Sequence, residues 1–268
     1  MPESRQGEVW ASGAAYEPYV GRWSRLVAHE FLHWLALPAG GRWLEVGCGT
    51  GALTSVLGEF AAPATVTAID RSIDYARYAR SHMNNPHVHF LVADGTRLPV
   101  QSERVETAVS GLVLNFLSDP AAGVIEMARV VQSGGTVAAY VWDYAGRMEL
   151  MRYLWDAAIE LDPMVAELDE GHRFPLCDPN RLIRLWESVG LVHVESRALE
   201  VMTRFSDFDD YWRPFLGGQG PAPGYVMSLN EGRRAILRER IRERLPTHTD
   251  GHIELVARAW AVRGCRAA

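Results

Sequence analysis

The chain predicts an α/β fold: a doubly wound, seven-stranded, mostly parallel sheet carrying helical lid insertions. Three observations predict it. Apolar runs alternate with amphipathic stretches between residues 42 and 142, which is the rhythm of βαβ units. The first run ends in Gly47-Cys48-Gly49-Thr50-Gly51, glycines at alternate positions before a helix-forming stretch. Acids stand at the ends of three successive runs: Glu45, Asp70 and Asp94.

Taken in order, the chain opens on a polar stretch to residue 15, then an aromatic segment, 16–23, broken by Pro18 and Gly21. Ser24 is the expected N-cap of a helix to about Leu35, with Val27, Phe31, Trp34 and Leu35 at helical spacing. Residues 1–40 thus form an N-terminal segment and helix, and 41–268 the main domain. The first buried strand is 42–46, followed by the glycine turn and a helix to about Phe60. A second strand, 64–69, runs into Asp70. Ser72 caps the next helix, with Ile73, Ala76 and Ala79 facing inward, and Asn84-Asn85-Pro86 stops it. Strands follow at 88–92 and 105–110. Asp119-Pro120 starts a helix to about Val131, Ser133-Gly134-Gly135 ends it, and 136–142 is the fifth strand.

After Asp143 the rhythm changes. Helices are expected at 147–159, 179–189 and 231–245, and strands at 192–201 and 253–262. The stretches at about 145–178 and 203–250 read as insertions forming a lid. The helix at 231–245 carries six arginines and three glutamates around a seam of Leu237, Ile241 and Leu245, the pattern of a solvated face.

Composition excludes several classes. The net charge of −6 lacks the basic excess of a nucleic-acid surface. No apolar run approaches a membrane span. The N-terminus does not read as a signal peptide. Cys48, Cys177 and Cys265 are isolated, with neither metal-binding nor disulfide spacing, so a reduced cytoplasmic setting is expected. His29 and His33 stand four apart on the first helix without an evident third ligand, so no metal is expected.

The chemistry converges on the glycine turn. Glycine allows positive φ and close approach of a ligand to the backbone, and the N–H groups of a helix start face whatever lies over the turn. In a doubly wound sheet the carboxyl ends of the strands line one crevice. A carboxylate on the second strand can accept two ribose hydroxyls; one on the third can accept from an exocyclic amine. Each acid also has a plainer use, Asp70 as a helix cap and Asp94-Gly95 as a turn pair. The spacing Gly47-x-Gly49-x-x-Ala52 satisfies a loose dinucleotide fingerprint. Glu45, however, would repel a pyrophosphate, and it suits a cation such as a sulfonium with an ammonium group.

Glu-Val-Gly47-Cys-Gly-Thr-Gly51 resembles the glycine motif of class I S-adenosylmethionine-dependent methyltransferases. Thr-Ala-Ile-Asp70, Val-Ala-Asp94-Gly95-Thr-Arg-Leu-Pro and Glu126-Met-Ala-Arg-Val-Val-Gln-Ser-Gly-Gly135-Thr resemble that superfamily's other motifs, in its order. They are most similar to the small-molecule branch that includes the ubiquinone/menaquinone-biosynthesis type. The resemblance covers residues 40–145, and it implies a Rossmann-like sheet and S-adenosylmethionine as cofactor. Gly47, Cys48, Gly49 and Gly51 would wrap the methionine part, and Glu45 would neutralise its ammonium. Asp70 would hold the ribose, with Arg71 beside the adenine. Asp94 would take the adenine amine, with Gly95 alongside. Leu112 and Asn115 would approach the methionine end, and Tyr19 and Arg22 would close over the cofactor carboxylate.

The expected reaction is methyl transfer to a small organic acceptor, at oxygen before carbon or nitrogen. Trp142, Asp143, Tyr144, Tyr211, Trp212 and Phe215 are the candidates for acceptor contact, and His172 for a general base. A nicotinamide-dependent oxidoreductase and a non-catalytic S-adenosylmethionine-binding protein are the alternatives. No Asn-Pro-Pro-Tyr-like signature of amino-group nucleic-acid methylation follows strand four, where the chain reads Ser110-Gly-Leu-Val-Leu-Asn-Phe116.

Overall fold

The computed structural model of the chain describes residues 21–217 and 220–268. Tyr19, named above as a cofactor contact, lies outside the described residues. Seven strands form one sheet: β1 (Arg42–Val46), β2 (Thr65–Asp70), β3 (Val88–Val92), β4 (Val105–Gly111), β5 (Val131–Trp142), β6 (Leu191–Phe205) and β7 (Ile253–Arg266), in the order β3-β2-β1-β4-β5-β7-β6. The pairs β1–β2, β1–β4, β2–β3 and β4–β5 are parallel, and β7 runs antiparallel to β5. The order reverses at β1, so β1 and β4 flank the switch point where an α/β sheet opens its crevice.

Helix α1 (Arg22–Leu35) buries Val27, Phe31 and Leu35 on one face. Ser24 is not its cap: it sits inside the first turn, buried, because the helix starts two residues earlier. Helix α2 (Ala52–Phe60) starts from Gly51, whose φ of 89° only glycine adopts without strain. Helix α3 (Ile73–His82) is capped by Ser72, whose hydroxyl accepts from Tyr75 N at 3.3 Å. Ala76 and Ala79 pack inward, but Ile73 is exposed: as the first residue of the helix it precedes the turn that meets the sheet. Helix α4 (Pro120–Val130) has Pro120 in its first turn and Asp119 as its cap. β5 begins directly after it at Val131, so Ser133 to Gly135 lie within the strand instead of forming a break before it.

The core lies on both faces of β1, β4 and β5: Leu44, Ala108, Val137 and Ala139 are buried on one, and Trp43, Val109, Ala138 and Tyr140 on the other. Helix α7 (Pro179–Ser188) seals it with Trp186, whose indole N–H donates to Val137 O at 3.0 Å. Between β5 and α7 come α5 (Glu149–Leu161) and the four-residue α6 (Glu170–Arg173). After β6 come α8 (Phe208–Trp212), α9 (Pro221–Ser228) and α10 (Glu231–Arg244). By internal contacts the chain divides into two compact units. Residues 23–142, 175–200 and 259–268 form the first; residues 143–174 and 201–258, with Arg22, belong to the second. Among the described residues, no helix is long and apolar enough to cross a membrane.

Candidate active site

The first unit brings the predicted acids to one edge of the sheet. The register sets Glu45 opposite Ala68 and Asp70 opposite Val92, and Asp94 stands two residues past Val92. All three therefore lie at the carboxyl ends of neighbouring parallel strands. The glycine turn hangs from β2: Gly47 N and Cys48 N both donate to Ile69 O, at 2.7 and 3.0 Å. Gly47 has φ +79°, and a Cβ there would overlap the Val113 side chain, so two separate constraints require glycine. A Cβ on Gly49 would meet nothing within 4 Å, so the turn has open space on that side.

The acids differ in what surrounds them. Glu45 is only 1% exposed, and its Oε2 accepts from Thr54 Oγ1 at 2.6 Å. Burial pushes its carboxyl up to about 7, against the Thr54 hydrogen bond that lowers it. Asp70 accepts Gly49 N at 2.9 Å on one oxygen and Ser72 N at 2.8 Å on the other. It thus ties the glycine turn to the start of α3. A carboxylate offers about four lone-pair sites, so two remain for hydroxyl donors. Desolvation raises its pKa. Asp94 is exposed; one oxygen accepts both Thr96 N and Thr96 Oγ1, which with the nearby Arg71 charge holds its carboxyl below the usual range. The turn-pair use of Asp94 and the helix-start use of Asp70 therefore coexist with a place on the crevice edge. Gly95 is required as well, since a Cβ there would crowd Val46.

Cys48 is buried, and desolvation, with the charges of Glu45 and Asp70, raises its thiol far above the ordinary value. It is an inert thiol packed beneath the turn. Beyond β4, Leu112 takes a positive φ of 63°, unusual for a branched side chain, and its N–H donates to Tyr140 O at 2.8 Å. Asn115 Nδ2 donates to Cys177 Sγ at 3.7 Å, while its Oδ1 is buried without a partner. Thr50 Oγ1, in the glycine turn, is likewise buried and unpartnered. Thr50, Thr54 and Cys177 were not legible as site residues. The one available signal was that Thr54 stands three residues past Gly51, in the first turn of the helix that faces Glu45.

The remaining candidates fall in the second unit, apart from Trp142. Arg22 pairs with Asp210 at 3.1 Å and lies over the Phe205 ring at 4.8 Å, so a role over a cofactor carboxylate would require breaking that pair. Tyr211, Trp212 and Phe215 are core residues. Tyr211 packs on Phe205 and Phe215 with centroids at 5.3 and 5.5 Å, Trp212 packs on Phe215 at 6.0 Å, and the Tyr211 hydroxyl donates to Leu150 O. The expectation of acceptor contact gives way to packing for these three, because an aromatic buried on all sides has no face left for a ligand. Tyr144 is buried against Phe174, and Trp142 is buried with its indole N–H unpartnered. Asp143 holds Gly146 N, Arg147 N and the Arg258 guanidinium, a structural use. His172 is exposed on α6, and no described group hydrogen-bonds its ring. Nothing there orients it for proton transfer, so the general-base role lacks support.

Known proteins carry the same core. Residues 44–139 match the family described as a methyltransferase domain. A malonyl-[acyl-carrier protein] O-methyltransferase of Hahella chejuensis is 36% identical over 92 residues, 34% of this chain and 33% of that protein. A demethylmenaquinone methyltransferase of Roseiflexus castenholzii is 30% identical over 103 residues, 38% of this chain and 43% of that one. The chain thus spans less than half the length of these curated relatives. Among solved structures, a phosphoethanolamine N-methyltransferase of Haemonchus contortus, in complex with phosphomonomethylethanolamine and S-adenosylhomocysteine, superposes with a TM-score of 0.59. It is 12% identical, covering 95% of this chain and 57% of that one, a likeness of fold. The YcgJ protein of Bacillus subtilis superposes with a TM-score of 0.57 at 13% identity, over 91% and 99% of the two chains. Glu45, the glycine turn, Asp70 and Asp94 all lie inside the span, residues 44–139, that matches the methyltransferase-domain family.

Proposed function

We propose that this protein transfers a methyl group from S-adenosylmethionine to a small organic acceptor, at an oxygen. The observation that carries the reading is the meeting of Glu45, Asp70 and Asp94 at neighbouring strand ends around an open glycine turn. A dinucleotide would bring its pyrophosphate toward Glu45; a cationic donor brings opposite charge instead. The site's own chemistry fits such a group. Thr50 Oγ1 and Asn115 Oδ1 are buried polar atoms awaiting partners, and leaving them so costs about 1–3 kcal/mol each.

When bound, the cofactor supplies an activated sulfonium methyl for in-line displacement. The protein's part is to hold and orient. Gly47 to Gly51 would offer backbone to the methionine part, Asp70 would offer its two remaining lone pairs to the ribose, and Asp94 would accept from the adenine amine. Glu45 stands behind the turn, where an ammonium, directly or through water, would draw its carboxyl back toward the ionised form. Alignment and exclusion of water can supply several kcal/mol without a dedicated base. The name of one curated relative, the malonyl-[acyl-carrier protein] O-methyltransferase, supports an oxygen acceptor; that of the demethylmenaquinone methyltransferase names no acceptor atom.

Isothermal titration of the full chain with S-adenosylhomocysteine and with NAD tests the proposal. The expected result is binding of the former alone, weakened at least about tenfold in Asp70→Asn, a loss of about 1.4 kcal/mol. Binding of NAD, or of neither, overturns it.

A further inference from the structure

Away from the crevice, the turn between α10 and β7 gathers a second set of ligating groups. Thr247 bridges to Ile253, His248 N donates to His252 O, and Gly251, at φ +91°, closes the loop. This register sets His248 across from His252. Along β7, side chains alternate between faces. Ile253 and Leu255 point into the core, so His252 and Glu254 share the outer face. One donor atom from each of His248, His252 and Glu254 lies within 4.8 Å of the others.

A carboxylate also stands behind one of the histidines. The Asp250 carboxylate accepts from His252 Nδ1, which leaves Nε2 as the lone-pair nitrogen, 3.7 Å from Glu254 Oε1. A carboxylate orienting the far nitrogen of an imidazole is the usual arrangement behind a metal-bound histidine. We propose that His248, His252 and Glu254 bind a divalent transition-metal ion of the zinc type, with Asp250 as the residue that positions His252.

The donor set selects the ion. Two imidazoles and one carboxylate suit zinc and its neighbours, whereas calcium and magnesium ask for oxygen ligands alone. Three protein ligands leave a fourth position for water. The His248 and His252 rings stack face to face, centroids 4.0 Å apart and 6° from parallel. Sharing one ion therefore requires His248 to turn about its side-chain bonds, which its exposed position permits. The loop would then be clipped to the start of β7.

The test uses the full chain, stripped with a chelator and titrated calorimetrically with zinc chloride. The expected result is one equivalent bound. His248→Ala/His252→Ala should lose that equivalent, and Asp250→Asn, which removes no ligand, should bind about tenfold more weakly. Cobalt(II) in place of zinc should give the visible absorption of a four-coordinate site in the wild type and, at higher metal concentration, in Asp250→Asn, but not in the double variant. Melting curves without metal should show a cooperative transition for all three proteins, so that lost binding is not unfolding. No bound equivalent in the wild type, or an equal one in the double variant, overturns the proposal.

Discussion

Two buried glutamates, one in each unit, are pushed up to about 7 by desolvation and yet do opposite things. Glu45 lies near the end of β1 under a turn whose Gly49 faces open space, and a threonine hydroxyl holds it. Glu170, 2% exposed, starts α6 in the second unit, held by the Trp155 indole N–H. Its surroundings are closed: Trp155 packs on Tyr225 at 5.6 Å, and neighbouring Asp169 is spent on Arg152 at 2.8 Å. A perturbed acid marks a functional candidate only where a ligand can reach it. Glu45, as buried as Glu170, lies beneath the glycine turn that the proposed cofactor would cover, whereas Glu170 is a polar strut inside packed aromatics.

The comparison can be broken most forcefully at Trp155. Trp155→Ala removes a fully buried ring and the donor to Glu170, so it should cost about 3–5 kcal/mol in urea denaturation. Thr54→Val, the matching change at Glu45, should cost about 1–3 kcal/mol for the lost hydrogen bond, and it should also weaken S-adenosylhomocysteine binding. If Trp155→Ala were the variant that weakened binding and Thr54→Val did not, the assignment of roles would be reversed.

The pH dependence comes next. Both folded carboxyls titrate above the ordinary 4.5, so between about 4.5 and 7 the folded state holds more protons than the unfolded one. Stability from these groups is full at low pH and falls as pH rises through 7. Glu170→Gln should flatten this slope and raise stability at pH 8 by up to about 3 kcal/mol, read from denaturation midpoints across pH. Saturating S-adenosylmethionine should shift the Glu45 part of the slope, by supplying positive charge, and leave the Glu170 part in place. The smallest effect belongs to His172→Ala. Turnover with the true acceptor should be unchanged, and stability should stay within about 0.5 kcal/mol of wild type, as for other surface changes.

The alternation of strands and helices, the glycine turn, the three acids and the caps Ser72 and Asp119 were all legible, because each depends on residues close together in the chain. The role of the aromatics was not. Tyr211, Trp212 and Phe215 read equally well as a ligand wall or as a core, and only their mutual packing distinguishes the two. His248, His252 and Glu254 were passed over for a similar reason. Spacing alone does not make a metal site of them; the Thr247–Ile253 bridge turns one histidine back on the other.

By itself, then, the chain determined its layered architecture and the sheet edge where the glycine turn and the three acids meet, since hydrophobic periodicity and glycine's backbone freedom are local properties. Tertiary structure alone decided the state of each acid. Charge depends on which groups crowd around a carboxylate, and the folded chain sets those neighbours: Trp155 packs against Glu170, and Thr54 turns back on Glu45.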